Sequence, residues 1–378
     1  MTSVRLSVFY GAVFLVIGTM MPFWPVWLKS IGLTAEQIGV VFAVGVMMKL
    51  ISNPLTTQLA DRTGHRRVLM IGLSLMASAV YALFLAADSF ASVIMISIIF
   101  FFFWSPIMPL TESLTMLAGR IEKIDYGRVR LWGSLTFIAA AWGMGVVMTD
   151  REPRLIIWAV LASVALTAVA AFALPATRSP KSTGVRMPIR QLLGDRQFVL
   201  LVTAAALIQS SHSVYYAFGT LHWQASGHSE AMIGWLWAEG VIAEVVLFAF
   251  SSAIIKRIGI ARLIALAGLA GAVRWLGTGL TDALPALMVL QILHAFTFGA
   301  AHLGAIHFIA QRMDPSISAT AQGLYSAIVM GLGMGIMGLV SGQLYAAYAG
   351  DAFYVMAGLA GLGGLIAFSL RRRSLSDA

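Results

Sequence analysis

The sequence predicts an all-α integral membrane protein, and its composition and the length of its apolar runs carry this prediction. Of its 378 residues, 59% are apolar and 11% are charged, whereas a soluble domain has about 45–50% apolar and about 25% charged residues. The apolar residues lie in runs long enough to cross a bilayer, which takes about 20 residues of helix. The composition therefore excludes a soluble enzyme.

These runs predict twelve transmembrane helices in two six-helix bundles. Six runs precede Pro175 and six follow from Phe198, and the polar stretch between them is rich in Pro, Arg and Ser, as expected of a linker. The predicted N-terminal bundle is 1–174, the cytoplasmic linker is 175–197 and the C-terminal bundle is 198–378. The seventh run, 198–223, is one of the predicted helices.

The distribution of basic residues predicts the orientation. With the amino terminus inside, 19 of the 25 Lys and Arg fall in cytoplasmic segments and 3 fall outside. Because cytoplasmic loops carry an excess of Lys and Arg, both termini are expected in the cytoplasm. The net charge of +9 is thus a topology signal and predicts no nucleic-acid partner. The basic residues outside cytoplasmic segments are Lys29, Arg151 and Arg154 beyond the membrane and Lys49, Arg130 and Arg274 within spans.

Several classes of chemistry are not expected. The chain has no cysteine, which excludes disulfides, thiolate metal sites and a cysteine nucleophile. It contains no GxxxxGK[ST], HExxH or GxSxG pattern, so no ATPase or intramembrane hydrolase, no cofactor and no metal is predicted. Arg5 alone precedes the first span and no small-residue cleavage site follows a short apolar core, so this span is expected to be a retained helix.

An offset of 195 residues reveals an internal repeat. It predicts two parallel halves related by an axis along the membrane normal. In the same register, Lys49 of the second span corresponds to Glu244 of the eighth. The matching residues are Gly32, Ile38 and Gly39 with Gly227, Ile233 and Gly234, and Arg62, Gly64 and Arg67 with Arg257, Gly259 and Arg262.

The turn 59–67, Leu-Ala-Asp-Arg-Thr-Gly-His-Arg-Arg, resembles the signature between helices two and three of the major facilitator superfamily, although Thr57 replaces the leading glycine. Segments 22–29, 125–134, 273–275 and 291–294 resemble the branch of the lactose and 3-phenylpropionate permeases. This resemblance implies a monomeric secondary transporter of the bacterial inner membrane that carries a small molecule together with protons across the lipid bilayer. It also implies an inner gate formed by Asp61, Arg62, Gly64 and Arg66.

Charges inside apolar spans indicate functional positions, because each costs about 2.5–3.5 kcal/mol without a partner or a wet cavity. Glu112 and Arg130 lie on consecutive spans at equal distances from the turn between them. We therefore expect them at one depth, as an ion pair that substrate opens. The resemblance adds that the lactose permease binds sugar hydroxyls with a carboxylate and an arginine at these positions.

Two polar stripes predict cavity-lining faces. Gln291, His294, Phe298 and His302 follow helical spacing in span ten, and Gln209, His212 and Tyr216 do so in span seven. The second stripe combines hydrogen-bonding groups with a ring, which suits a ring-shaped solute. The predicted substrate-binding residues are Glu112, Arg130, His212, Tyr216, Gln291 and His294.

The sequence departs from the lactose permease pattern at the coupling site. Arg274 and His294 match its arginine and histidine, but Thr297 occupies the position of its glutamate. Glu244 is the best alternative, because a carboxylate inside an apolar span can take up a proton. The predicted proton-coupling residues are Glu244, Arg274, His302 and Lys49.

The function predicted from these patterns is proton-coupled symport of a small aromatic carboxylic acid such as 3-phenylpropionate. The cations supply partners for a carboxylate, and the aromatic residues suit a ring. Transport of a sugar or a nucleoside is the alternative. A membrane sensor or assembly factor belongs to a different class, and solute binding that requires Arg130 distinguishes a transporter from it.

Overall fold

The computed structural model describes residues 1–176, 189–313 and 315–370. Within these ranges the description covers the backbone but not the side chains of Arg120, Pro315, Ser316, Ser318 and Ala319. All regular elements in these ranges are helical, which confirms the predicted all-α class. Residues 177–188 of the predicted linker and the basic residues at 371–373 lie outside the described residues.

The first seven helices cover the first half of the chain. A 3₁₀ turn at Leu83–Ala86 follows the third. The helices are α1 (Thr2–Ser30), α2 (Ala35–Thr63), α3 (Arg66–Ala82), α4 (Phe90–Trp104), α5 (Ile107–Glu122), α6 (Tyr126–Met148) and α7 (Arg154–Ala171).

The second half is more interrupted. Two π-helices, Ala295–Ala300 and Ser326–Gly333, and a 3₁₀ turn at Ala349–Asp351 lie between its α-helices. The α-helices are α8 (Ile189–Gly194), α9 (Arg196–Ser210), α10 (Ser213–Ala225), α11 (Glu230–Ala249), α12 (Ser251–Ile258), α13 (Ile260–Leu280), α14 (Leu284–Ile292), α15 (Ala301–Arg312), α16 (Pro315–Tyr325), α17 (Met334–Tyr348) and α18 (Ala352–Ala367).

Eleven helical segments are long and apolar enough to cross a membrane within the described residues. The last, Thr320–Ala367, has 48 residues and would extend about 70 Å as one straight helix, more than twice the thickness of a bilayer core. Ala349, in the 3₁₀ turn, has φ of +47°, so the helix does not run on unbroken. This segment has the length of two spans joined by a turn.

The chain divides into two compact units. The first comprises Met1–Gly184 with Gly219–Ala238, and the second comprises Val185–Phe218 with Glu239–Ala378. In the first unit α1 packs on α6 and α7, and in the second α13 packs on α18, which also contacts α9. Each unit buries its own apolar cluster.

The crossing of α13 and α18 depends on two glycines. A Cβ on Gly268 would meet the backbone of Gly364, with its nitrogen at 2.5 Å, and the carbonyl oxygen of Ala360 at 2.7 Å. These distances are well below ordinary contact distances. The two helices therefore pack backbone against backbone, as small residues permit, and this contact supports the helix that carries Arg274.

Turn glycines preserve the 195-residue repeat. Gly32 and Gly227 have φ of +85° and +87°, and Gly64 and Gly259 have φ of +70° and +80°. Positive φ strains residues with a Cβ but not glycine. Matching backbone conformations at matching positions support the repeat predicted from the sequence.

Candidate functional site

The guanidinium of Arg274 is the centre of a polar cluster in the second unit. Arg274 lies on α13 and is completely buried. Its Nη1 donates to His294 Nδ1 at 3.0 Å and to Thr297 Oγ1 at 3.1 Å, and its Nη2 donates to Gln291 Oε1 at 2.7 Å. All three acceptors are uncharged: Thr297 and Gln291 have neutral side chains, and His294 accepts at Nδ1, which only the neutral ring can do.

Aromatic rings cover the same guanidinium. Arg274 Cζ lies 4.7 Å from the ring centroid of Tyr215 and 4.4 Å from that of Trp275, distances typical of cation–π contacts. Trp275 is held in turn, since its Nε1 donates to Ser211 Oγ at 2.9 Å. The cation is thus fixed by aromatic faces as well as by hydrogen bonds.

Two donors of this cluster have no acceptor. Arg274 Nε and Gln291 Nε2 are buried and make no hydrogen bond in the described part of the chain. The amide orientation of Gln291 is fixed, because its oxygen must accept from an arginine. An unpaired buried donor costs about 1–3 kcal/mol. Since the two side chains are hydrogen-bonded to each other, their free N–H groups can serve one incoming acceptor group with two oxygens.

His212 lies where the predicted helix 198–223 is interrupted, between the end of α9 and the start of α10. Its Nδ1 is 3.2 Å from the carbonyl oxygen of Ile208 and 3.1 Å from that of Gln209. It therefore hydrogen-bonds carbonyl groups at the end of α9. Its Nε2 is 3.0 Å from Thr297 Oγ1. The imidazole stacks on Tyr216 with centroids 5.5 Å apart. Both predicted residues therefore adjoin the cluster.

Glu244, on α11, approaches the cluster through His294. Its Oε2 lies 3.9 Å from His294 Nε2, while the other ring nitrogen accepts from Arg274. Among the described residues, no carboxylate lies within 4 Å of the Arg274 guanidinium. His294 therefore separates the carboxylate from the cation and contacts both.

His302 extends the predicted stripe of span ten away from Arg274. Consecutive ring centroids are 5.6 Å apart between His294 and Phe298 and 6.5 Å apart between Phe298 and His302. The π-helix Ala295–Ala300 lies within this row, and Gln209 Nε2 donates to its Phe298 carbonyl at 3.3 Å. Gln209 thus supports span ten.

Glu112 and Arg130, in the first unit, do not form the direct ion pair expected from their equal depth. No contact within 4 Å joins their charged groups in the described residues. Arg130 Cζ lies 4.2 Å from the Phe14 ring centroid, and Tyr126 Oη donates to Glu112 Oε1 at 3.5 Å. Equal distance from the turn fixes the depth of the two side chains but not their direction around each helix axis. The Phe14 ring offers the Arg130 guanidinium another partner.

The turn after α2 has the geometry expected of the signature motif. Asp61 Oδ1 and Arg66 Nη2 form an ion pair at 2.6 Å, and Arg66 Nε donates to Ser113 Oγ of α5 at 3.1 Å. Gly64 ends α2 in the left-handed conformation. Arg62 is exposed in the last turn. The motif therefore joins α2, α3 and α5.

Lys49 is exposed at the middle of α2. It makes no hydrogen bond or ion pair in the described part of the chain. Helical spacing puts it on the face of Gly45 and Thr56, which are buried, and away from Ile51 and Leu55, which are exposed. Lys49 is thus an exposed side chain on the more buried face of α2.

Sequence reasoning did not assign four residues of the Arg274 cluster. Thr297 had a usable signal, since it lies three residues after His294 on one helical face. Trp275 adjoins Arg274 in sequence but projects from a different part of the helix. The spacing gives no signal for the side-chain contacts of Ser211 and Tyr215, which are made between helices.

Comparisons with known proteins identify the family of this chain. The model of the MFS_1 like family matches residues 3–356. A probable 3-phenylpropionic acid transporter of Escherichia coli is 34% identical over 361 residues, which cover 93% of each chain. A maltose permease of Geobacillus stearothermophilus is 27% identical over 371 residues, covering 96% of this chain and 92% of that one.

A solved structure shares the fold. The crystal structure of the nucleoside transporter NupG superposes with a TM-score of 0.86 at 14% identity, covering 99% of this chain and all of the other. Its fold and the sequence matches agree with the signature turn and with the helical spans described above. The chain therefore belongs to the MFS_1 like family of the major facilitator superfamily, in the branch of the 3-phenylpropionate and lactose permeases.

Proposed function

We propose that this protein is a secondary active transporter that carries a small aromatic carboxylate, such as 3-phenylpropionate, together with protons. It has twelve spans with both termini in the cytoplasm of a bacterium, and it works by alternating access in the inner membrane as a monomer. The observation that carries the proposal is the buried Arg274 with neutral partners and unpaired donors beside it.

A carboxylate fits this arrangement because it completes both the charge and the hydrogen bonds. Arg274 keeps its charge when buried, and a buried ion without a counter-ion is unfavourable by several kcal/mol. An arriving carboxylate supplies the missing charge. Its oxygens can accept from Arg274 Nε and Gln291 Nε2, which have no acceptor in the described residues. Charge-assisted bonds of this kind are about twice as strong as neutral ones.

An aromatic group fits beside the carboxylate. Tyr215 and Trp275 flank the guanidinium, and His212 stacks on Tyr216. Contacts between aromatic rings add about 0.5–1.5 kcal/mol beyond the area they bury. The name of the Escherichia coli relative, a probable 3-phenylpropionic acid transporter, supports the same substrate class.

Proton coupling is assigned to Glu244 and His294. Glu244 takes up and releases the proton. His294 accepts from Arg274 at Nδ1, so its Nε2 carries a hydrogen and faces Glu244 Oε2 at 3.9 Å, and His294 transmits the change of charge on Glu244 to Arg274. A proton that accompanies a carboxylate cancels its charge, so the loaded transporter can reorient without moving net charge. Lys49 and His302 are secondary candidates.

A sugar or nucleoside is the second candidate. The Glu112 carboxylate next to the Tyr126 hydroxyl, with Arg130 over an aromatic ring, offers acceptors and donors for solute hydroxyls. The maltose permease relative supports this alternative. The two candidates use different units of the chain and are therefore separable by mutation.

Counterflow in proteoliposomes tests the substrate. Vesicles preloaded with 3-phenylpropionate, maltose or uridine receive the same labelled solute outside. We expect exchange of 3-phenylpropionate, lost at least tenfold in Arg274→Gln and unchanged in Arg257→Gln, an exposed arginine on α12. Exchange of maltose or uridine instead would establish the second candidate. Absence of exchange for all three solutes in the native protein would contradict both.

Uphill uptake tests the coupling. In Glu244→Gln we expect counterflow to persist while accumulation driven by an imposed pH gradient is lost. Glu239→Gln is the matched control, because Glu239 lies on the same helix, about 140° away around it. Accumulation by Glu244→Gln at the native level would refute this assignment of the coupling residue.

A further inference from the structure

The hydroxyl of Thr297 joins two side chains whose chemistry fixes the positions of the hydrogens. On one side, His212 Nδ1 faces the carbonyl oxygens of Ile208 and Gln209 at 3.2 and 3.1 Å. Carbonyl oxygens only accept, so Nδ1 carries the hydrogen. In a neutral imidazole Nε2 is then an acceptor, and Thr297 Oγ1, 3.0 Å away, is its donor.

On the other side, Arg274 can only donate. Its Nη1 gives one hydrogen to Thr297 Oγ1 at 3.1 Å and the other to His294 Nδ1 at 3.0 Å. A threonine hydroxyl has one donor and two acceptor sites, so it can receive from Arg274 while it donates to His212. The His294 carbonyl oxygen, at 3.4 Å, is a more distant acceptor for the same hydrogen than His212 Nε2 at 3.0 Å. The hydrogen bonds therefore run in one direction, from Arg274 through Thr297 to His212 and on to the α9 carbonyls.

The same chain fixes the orientation of the guanidinium. Both hydrogens of Nη1 are used, and Nη2 is bound to Gln291 Oε1 at 2.7 Å. Rotation of the guanidinium plane would break these bonds inside a buried site. The Arg274 Nε–H and the Gln291 amide are therefore held in one place with no acceptor in the described residues.

We propose that Thr297 is a positioning residue that fixes His212 in its Nδ1–H tautomer and holds Arg274 with its Nε–H free for the substrate carboxylate. The substrate part rests on the proposed function, whereas the tautomer does not. Removal of the hydroxyl leaves His212 Nε2 without its donor and one Nη1 hydrogen without its acceptor. Arg274 then loses one of the three hydrogen bonds that set its plane.

Two variants distinguish the effect of the Thr297 hydroxyl from the effect of the side-chain volume. Thr297→Val removes the hydroxyl at nearly constant volume, and Thr297→Ser keeps it. The first readout is ¹⁵N NMR of histidine-labelled protein in lipid, with the His212 signal assigned by its loss in His212→Gln. We expect Nδ1–H with a hydrogen-bonded Nε2 in the native protein and in Thr297→Ser, and a shifted Nε2 in Thr297→Val.

The second readout is binding of 3-phenylpropionate and of its neutral analogue 3-phenylpropanol. We expect Thr297→Val to weaken the acid about tenfold, which corresponds to loss of one oriented polar contact, and to leave the alcohol unchanged. Thr297→Ser restores binding of the acid. Equal weakening of both ligands, or weakening of the acid in both variants, would show that Thr297 only fills space and would overturn the proposal.

The two readouts fail independently. A native His212 with hydrogen on Nε2 overturns the proposal even if neither Thr297 variant folds. Native protein that binds neither 3-phenylpropionate nor 3-phenylpropanol contradicts the proposed substrate, while the NMR measurement still decides the tautomer and the role of the hydroxyl.

Discussion

Replacement of Gly268 by alanine is expected to loosen the crossing that supports Arg274. The new Cβ would lie 2.5 Å from the Gly364 nitrogen and 2.7 Å from the Ala360 carbonyl oxygen. Ordinary contacts of carbon atoms begin near 3.5 Å, so α13 and α18 must separate by roughly 1 Å. Backbone atoms cannot move aside as a side chain can, and the helices themselves must shift.

The expected cost follows from overpacking, which destabilises by about 1–3 kcal/mol. Gly358→Ala on α18 is the matched control, because a Cβ there meets nothing within 4 Å. Both variants gain the same helix propensity, about 1 kcal/mol for alanine over glycine, so their difference isolates the crossing. At about 2–4 °C per kcal/mol, Gly268→Ala should melt roughly 2–12 °C below Gly358→Ala.

The assay is thermal unfolding of the purified variants in one detergent, followed by binding of 3-phenylpropionate. Because Arg274 lies on the displaced helix, Gly268→Ala should also bind the acid more weakly than Gly358→Ala. Identical melting temperatures for the two variants would refute the argument that backbone contact holds α13 against α18.

Three further predictions concern individual contacts. Asp61→Asn removes a carboxylate 2.6 Å from the largely buried Arg66 and should lower the melting temperature through a loss of about 1 kcal/mol of stability. Asp88→Asn, at an exposed aspartate, should leave the melting temperature unchanged. An equal effect of the two substitutions would exclude a specific contact of Asp61. Trp275→Phe removes the hydrogen bond to Ser211 Oγ at a cost of about 1 kcal/mol. A double-mutant cycle with Ser211→Ala, measured by thermal unfolding, should show coupling between the two positions. Strictly additive losses of stability would contradict the hydrogen bond. Lys49→Met should raise the melting temperature, because a charge without a partner inside a span is costly. Arg274→Met should lower it, because three buried acceptors would lose their donor. A lower melting temperature in both variants would show that Lys49 has a partner.

Helix positions and the signature turn could be predicted because they depend on local sequence. Apolar runs gave the spans, and the order of aspartate, glycine and arginine in 59–67 gave the turn whose Asp61–Arg66 pair the structure contains. The 195-residue repeat was visible for the same reason, since its glycines occupy turns where the backbone demands them.

Contacts between helices could not be predicted to the same degree. The Glu112–Arg130 pair failed because depth along an antiparallel hairpin says nothing about rotation. The interruption at His212 has no proline or glycine beside it in 209–213, so the hydropathy pattern reads as a continuous helix. The neutral partners of Arg274 come from three parts of span ten, and their convergence depends on how α13 and α14 pack.

The π-helix Ala295–Ala300 has a consequence for how the chain tolerates changes in length. A π turn accommodates one residue more than an α turn over the same rise. Deletion of one residue there can convert the segment to ordinary helix and leave both flanks facing as before. The same deletion within α13 would rotate every following residue by about 100° and turn the cluster away from its partners. Gap placement in alignments of span ten should therefore favour 295–300.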